Sequence, residues 1–164
     1  MIICYCVRAL CAGGNCPMRY RIPSALVAET FDHFRRCGQG ERECQLVWTS
    51  AWERPESISR VVHPCHRSHS GGFELDGPWL NTFWLELSRN QHGIRFQVHT
   101  HPSEAFHSAV DDRFPIIHSV GFLSLVIPNF GLGQVGFNGA YLAEIQPNGA
   151  WCQIPIASRL EVVV

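Results

Sequence analysis

The sequence is short of charge. Only 16% of its 164 residues are Asp, Glu, Lys or Arg, and the net charge is −1 with histidine neutral. A surface so weakly charged has no field to hold nucleic acid or an anionic membrane. No apolar run is long enough to span a bilayer. The first residues, Met-Ile-Ile-Cys-Tyr-Cys-Val-Arg-Ala-Leu-Cys, are apolar, but Arg8 interrupts them and no basic leader precedes them. They make a poor signal peptide. Without an export signal, the eight cysteines are expected as reduced thiols in the cytoplasm, not as a disulfide framework. No internal repeat is apparent. The length allows one core and excludes an (β/α)₈ barrel, the fold in which other H-x-H metal sites lie on the first strand.

What the chain does have is concentrated between Val98 and Asp112, V-H-T-H-P-S-E-A-F-H-S-A-V-D-D. The preceding Ile94-Arg95-Phe96-Gln97-Val98 alternates and reads as a β-strand. Side chains two apart on a strand share a face, so His99 and His101 can converge on one ion. Pro102 then turns the chain out of the ladder. Ser108 and Asp111 follow at the spacing of a helix N-cap with an acidic third residue. A helix starting there presents both side chains from its first turn. Two imidazoles and one carboxylate leave a fourth tetrahedral position for water, the arrangement of a catalytic zinc. The expectation is about one zinc per chain.

Elsewhere the pattern is ordinary. Cys4, Cys6, Cys11 and Cys16 contain no C-x₂-C pair and give a weak case for a second metal site. Residues 1–17 read as a leader or a mis-assigned start, with the domain proper at 18–164. Ala25–Cys37 reads as an amphipathic helix with Leu26, Phe31 and Phe34 inward, stopped by Gly38. Glu41–Thr49 reads as a strand with an acidic start, and Trp52–Val62 as its return. The stretch from His63 to Gly72, with His63, Cys65, His66 and His69, reads as a mobile surface loop rather than a metal cluster. Asp76 caps a helix carrying Trp79, Leu80, Phe83, Trp84 and Leu87, a face typical of core packing. Gly121–Pro128 is a buried strand, Tyr141–Ile145 and Ala150–Ile154 flank an Asn-Gly turn, and Arg159–Val164 adds a last edge strand. This order describes an α+β domain.

A glutamate at the head of an early strand, then H-x-H-P, then S-x-x-D resembles the signature of the JAB/MPN+ (JAMM) zinc metalloproteases. The likeness covers most of residues 19–164, though its specificity lies in those few positions. It implies a JAB/MPN-like, cytidine deaminase-like mixed β-sheet flanked by helices. It assigns His99, His101 and Asp111 as ligands of Zn²⁺, with Asp111 chosen over Asp112 by its spacing from Ser108. The interval from His101 to Ser108 is slightly shorter than in many relatives. For the glutamate, Glu43 enters the strand directly and is preferred; Glu41 is the alternative. The segments Arg67-Ser68, Phe73-x-Leu75-Asp76 and Gly121–Gly131 look like prokaryotic JAB deubiquitinase-like proteins encoded beside E1-like and E2-like enzymes and a ubiquitin-like protein in anti-phage systems.

The resemblance implies an isopeptidase or peptidase. Glu43 would shuttle the proton, Ser108 would donate to the oxyanion, and no cysteine nucleophile is needed. An extended substrate is expected beside the strand of His99 and His101, by β-addition. The implied partners are the ubiquitin-like protein, its conjugates, and the E1-like and E2-like proteins. Three rivals stand beside this reading: processing of a ubiquitin-fold sulfur carrier, a non-catalytic MPN scaffold, and a cupin-like metal protein. The last requires a further histidine, and none follows Phe122.

Overall fold

The computed structural model describes residues 17–70 and 72–164. The expectations about the N-terminal leader and its four cysteines fall outside them. In chain order the elements are β1 (Tyr20–Pro23), α1 (Ser24–Gly38), β2 (Gln45–Ala51), β3 (Arg60–Val62), β4 (His66–His69) and β5 (Gly72–Leu75). There follow α2 (Gly77–Arg89), β6 (His92–Thr100), α3 (Ala109–Arg113), β7 (Leu123–Ile127), β8 (Tyr141–Ile145), β9 (Trp151–Gln153) and β10 (Leu160–Val163). Six strands form a mixed sheet in the order β3-β2-β6-β7-β8-β9, and two-stranded ladders join β1 to β10 and β4 to β5. Only β6 and β7 run parallel within the large sheet. The result is the expected α+β arrangement, a mixed sheet with helices on its faces.

The helices follow from side-chain spacing. In α1 the buried residues Val27, Thr30, Phe31 and Phe34 recur at i, i+3, i+4 and i+7, one continuous stripe. Arg35 and Arg36 occupy its last turn, where positive charge suits the carbonyl end. The helix runs through Gly38 and ends at Gln39 in the left-handed region (φ 51°), one residue later than the glycine rule anticipated. Its stripe packs with Leu46, Trp48, Phe96, Val98 and Leu125 on one sheet face. Trp48 donates its indole N–H to Thr30 Oγ1 at 3.0 Å, which satisfies a buried polar group that burial would otherwise penalise.

The opposite face is covered by α2. Asp76 caps it by accepting from Trp79 N at 2.8 Å, and Phe83 and Leu87 bury against Val47, Ile94, Phe122 and Ile145. Trp84 stays exposed, so the aromatic face is narrower than the sequence suggested.

Two expectations need correction. Trp52–Val62 is strand only over Arg60–Val62, because the turns around Arg54-Pro55 fill residues 52–56 and Ser57 makes an isolated bridge to Arg21. The stretch from His63 to Gly72 is not a loose loop. It leads into the β4–β5 hairpin, in register from His66↔Leu75 to His69↔Gly72.

Candidate metal centre and cleft

The histidines stand at the C-terminal end of β6, the central strand. Alternation sends Phe96 and Val98 toward α1 and leaves His99 and His101 on the other face. His99 is fully buried, between β2 and β7 neighbours Gln45 and Val126. His101 lies one residue past the strand, yet its backbone is fixed on both sides. Its N–H donates to Ile127 O at 2.9 Å, and its carbonyl accepts from Phe130 N at 2.8 Å. Phe130 adopts φ 53° to do so, a conformation that costs a non-glycine residue about 1–3 kcal/mol. The turn after β7 thus holds the second histidine.

Asp111 arrives from α3. Ser108 is the N-cap, and a reciprocal capping box closes there. Ser108 Oγ accepts from Asp111 N at 3.2 Å, while Ser108 N donates to Asp111 Oδ2 at 2.7 Å. The helix-cap and metal-site readings of this tetrapeptide therefore coexist, and the cap aims the carboxylate. Asp111 Oδ1 lies 3.2 Å from His99 Nε2 and Oδ2 lies 3.4 Å from His101 Nε2. Both ring nitrogens of His99 and Nδ1 of His101 are nevertheless buried without a hydrogen-bond partner. Burying unpaired imidazole nitrogens is costly. One ligand atom from each of the three residues falls within 4.8 Å of the others. Two imidazole Nε2 atoms facing one carboxylate suit a cation, and the donor set fits zinc.

Electrostatics agree. Burial alone would raise the Asp111 carboxyl, but His101, His99 and Ser108 hold it well below the usual carboxylate range. The group therefore stays anionic, as a ligand must. Burial has the opposite outcome at Glu43, whose carboxyl is pushed up to about 7, with His101 opposing and Asp111 assisting.

The two glutamates are now distinguishable. Neither lies on β2, which starts at Gln45. Glu41 is exposed in the turn after α1. Glu43 is buried and lines the same cleft as His101, Ser108 and Asp111. It is held in place by Glu43 N donating to His69 O at 3.0 Å. The next residue is anchored to the end of β6, Cys44 N to Thr100 Oγ1 at 3.0 Å and Thr100 N to Cys44 O at 3.1 Å.

The cleft measures about 810 Å³, and Phe73, Leu75, Leu80, Phe106, Val110 and Phe114 make it largely apolar. Phe106 stacks edge-on against His101, with ring centroids 4.6 Å apart. The expected β-addition to β6 is ruled out, because β2 and β7 occupy both of its edges. The strand that does border the cleft is β5, which among the described residues pairs only with β4. Sequence reasoning also passed over His107. Its Nδ1 lies 2.7 Å from Asp112 Oδ1, its Nε2 is a buried orphan, and its ring stands 6.4 Å from that of His99. Only its place between the second histidine and the serine signalled it.

With this geometry, the relatives can be placed. No family model matches the chain. Its sequence is 27% identical over 141 residues to a probable metalloprotease of Sinorhizobium fredii, covering 83% of this chain and 87% of that protein. The fold is similar to the solution structure of a Desulfitobacterium hafniense protein, with TM-score 0.64 and 14% identity over 88% of this chain and 92% of the other. A JAB1/MPN domain protein from Archaeoglobus fulgidus aligns at TM-score 0.48 and 12% identity, over 88% and 98% of the two chains. That score is too low to establish a shared fold. The chain is thus an α+β protein related in sequence to a probable metalloprotease, with a buried His₂Asp group able to hold a metal. Among its described residues, no helix is long and apolar enough to cross a membrane.

Proposed function

We propose that this chain is a zinc peptidase of the JAB/MPN type that cleaves immediately after the C-terminus of a ubiquitin-like protein. The bond would join that terminus to a short propeptide or to a lysine of a target. One observation carries the reading: His99, His101 and Asp111 converge where Glu43 and Ser108 border the same cleft. The likeness to a probable metalloprotease supports amide hydrolysis.

Bound by His99, His101 and Asp111, zinc would polarise a carbonyl and bring the pKa of a coordinated water to ~7. Glu43 takes up a proton on its carboxylate and returns it to the departing amine. In the metal-free protein burial raises this carboxyl to about 7; a bound cation would pull it down, so the shuttle role rests on the place of Glu43 in the cleft. Ser108 Oγ accepts from Asp111 N, so its own hydrogen is available to the developing oxyanion. The apolar wall excludes water, and the open edge of β5 can take an extended chain as an added strand.

For a ubiquitin-like substrate, we assign the docking wall to the hairpin. Phe73 and Leu75, two residues of the segment resembling prokaryotic JAB proteins, line the cleft. Since the catalytic groups read no sequence, selectivity falls to the folded body of the substrate. The E1-like and E2-like proteins of the same cytoplasmic system, with a role in anti-phage defence, are the partners this reading entails. The test is to incubate the protein with a ubiquitin-like protein from a prokaryotic conjugation system, fused at its C-terminus to a reporter. Wild type should release the reporter and Glu43→Gln should not. Equal cleavage of unrelated unstructured peptides would leave a general metallopeptidase instead.

A further inference from the structure

A second group of metal-ligating side chains lies apart from the cleft cluster. Cys37 comes from the last turn of α1, Cys44 from the residue before β2, His63 from the segment after β3, and His66 from the start of β4. One ligand atom from each lies within 4.8 Å of the others, and Cys37 Sγ is 3.4 Å from His66 Nε2. The edges of a tetrahedron built with zinc–sulfur and zinc–imidazole bonds are roughly 3.3–3.8 Å, so about an ångström of side-chain movement closes the set.

Two details argue against a chance meeting. His66 Nδ1 lies 2.9 Å from Pro64 O, an acceptor only, so Nδ1 carries a hydrogen and Nε2, the nitrogen facing Cys37, holds the lone pair of the neutral ring. That backbone carbonyl is the kind of outer partner that orients a ligating histidine. His63 Nε2 is buried with no hydrogen-bond partner, and Cys44 is fully buried. Cys44 belongs to the main hydrophobic core and the half-buried Cys37 packs against it, a setting in which an unmatched imidazole is costly.

We propose that Cys37, Cys44, His63 and His66 bind a second zinc ion in a closed Cys₂His₂ site. Four protein ligands leave no position for water, which marks a structural site, and tetrahedral S₂N₂ donors favour zinc over harder cations. The ion would join three separate pieces of chain: the end of α1, the residue next to Glu43, and the strand entering the cleft hairpin. This inference stands independently of the activity proposed above, because it uses none of the cleft residues. It raises the expected metal content from one zinc per chain to two.

The test uses full-length protein prepared under reducing conditions. Metal analysis should find two zinc ions in the wild type, one in His99→Ala/His101→Ala and one in Cys37→Ser. Cobalt replacement separates the sites by colour, because only the Cys₂His₂ site gives thiolate-to-cobalt charge transfer in the near ultraviolet. That band should survive His99→Ala/His101→Ala and disappear in both Cys37→Ser and His63→Ala. X-ray absorption at the zinc edge of the unaltered protein, which needs no variant to fold, should show sulfur at an average of one per zinc. A sulfur-free zinc shell, a charge-transfer band indifferent to Cys37→Ser, or a Cys37–Cys44 disulfide persisting in reductant would each overturn the proposal.

Discussion

A carboxyl buried two residues before a strand is a costly place to leave a charge, and Glu43 occupies it beside the metal cluster. Glu43→Gln keeps the shape and removes the titrating proton. The expected outcome is a folded protein with undiminished metal and almost no hydrolysis, checked by metal analysis beside the reporter assay. If Glu41→Gln is the dead variant instead, the shuttle lies in the exposed turn. The same carboxyl sets a pH dependence in metal-free protein. Its folded value is about 7 against 4.5 for an ordinary glutamate, so the folded state holds the extra proton between those values. Stability contributed by Glu43 is full below 4.5 and is lost as the pH rises through about 7. Urea midpoints of chelated protein should therefore fall across this window relative to Glu43→Gln. Parallel curves would show that the group is solvated. Ser108→Ala should slow hydrolysis by roughly 10²–10³, the usual loss of one oxyanion donor at ~2.7–4 kcal/mol. It also removes half of the capping box, worth about 1 kcal/mol. An unchanged rate with lowered stability would reduce Ser108 to a cap.

At the scale of elements, the turn after β7 shows how local strain serves the site. Asn129, Phe130 and Gly131 all have positive φ, and this turn supplies the N–H that holds the His101 carbonyl. A Cβ on Gly131 would meet Phe34 Cβ at 2.9 Å while at φ +71°. Gly131→Ala should cost on the order of 1–3 kcal/mol from backbone strain, with the α1 contact adding to it; a denaturant midpoint equal to wild type would refute this. What could be read from sequence divides along similar lines. The β6 histidines, the Ser108 cap and the α1 stripe were legible because each is a short-range pattern of period 2, 3 or 3.6. The β4–β5 hairpin was missed because its histidines and glycines read as loop, while what holds it is its own ladder together with the bond from Glu43 N to His69 O. The Cys₂His₂ group was invisible for a related reason. Its members are spread from Cys37 to His66 without a C-x₂-C pair, and only the end of α1 meeting β4 brings them together. Glu43 was preferred over Glu41 from sequence as the residue entering the strand, but periodicity could not show that Glu43 is buried and Glu41 exposed, since β2 begins only at Gln45.

Seen whole, the molecule places its cleft cluster at the C-terminal end of β6, beside the single parallel step of the sheet. All its permanently cationic side chains are arginines: Lys and Arg total 13, and the sequence contains no lysine. An enzyme acting on lysine-linked conjugates would then offer no side-chain amine of its own to be modified. Amine-reactive labelling of the intact chain should stop at its α-amino group. The small β1–β10 ladder has a different consequence. Its strands run parallel, with Tyr20 beside Leu160 and Pro23 beside Val163, so Met18 and Val164 lie at opposite ends of the ladder. A force applied between those residues loads all the ladder's hydrogen bonds in shear at once. Moving the second handle to Ser158 puts both handles at one end, and the bonds then break in succession. In single-molecule pulling the first geometry should rupture at clearly higher force than the second. This two-stranded ladder would be the mechanical latch of the described fold, closing the molecule against tension along its own chain.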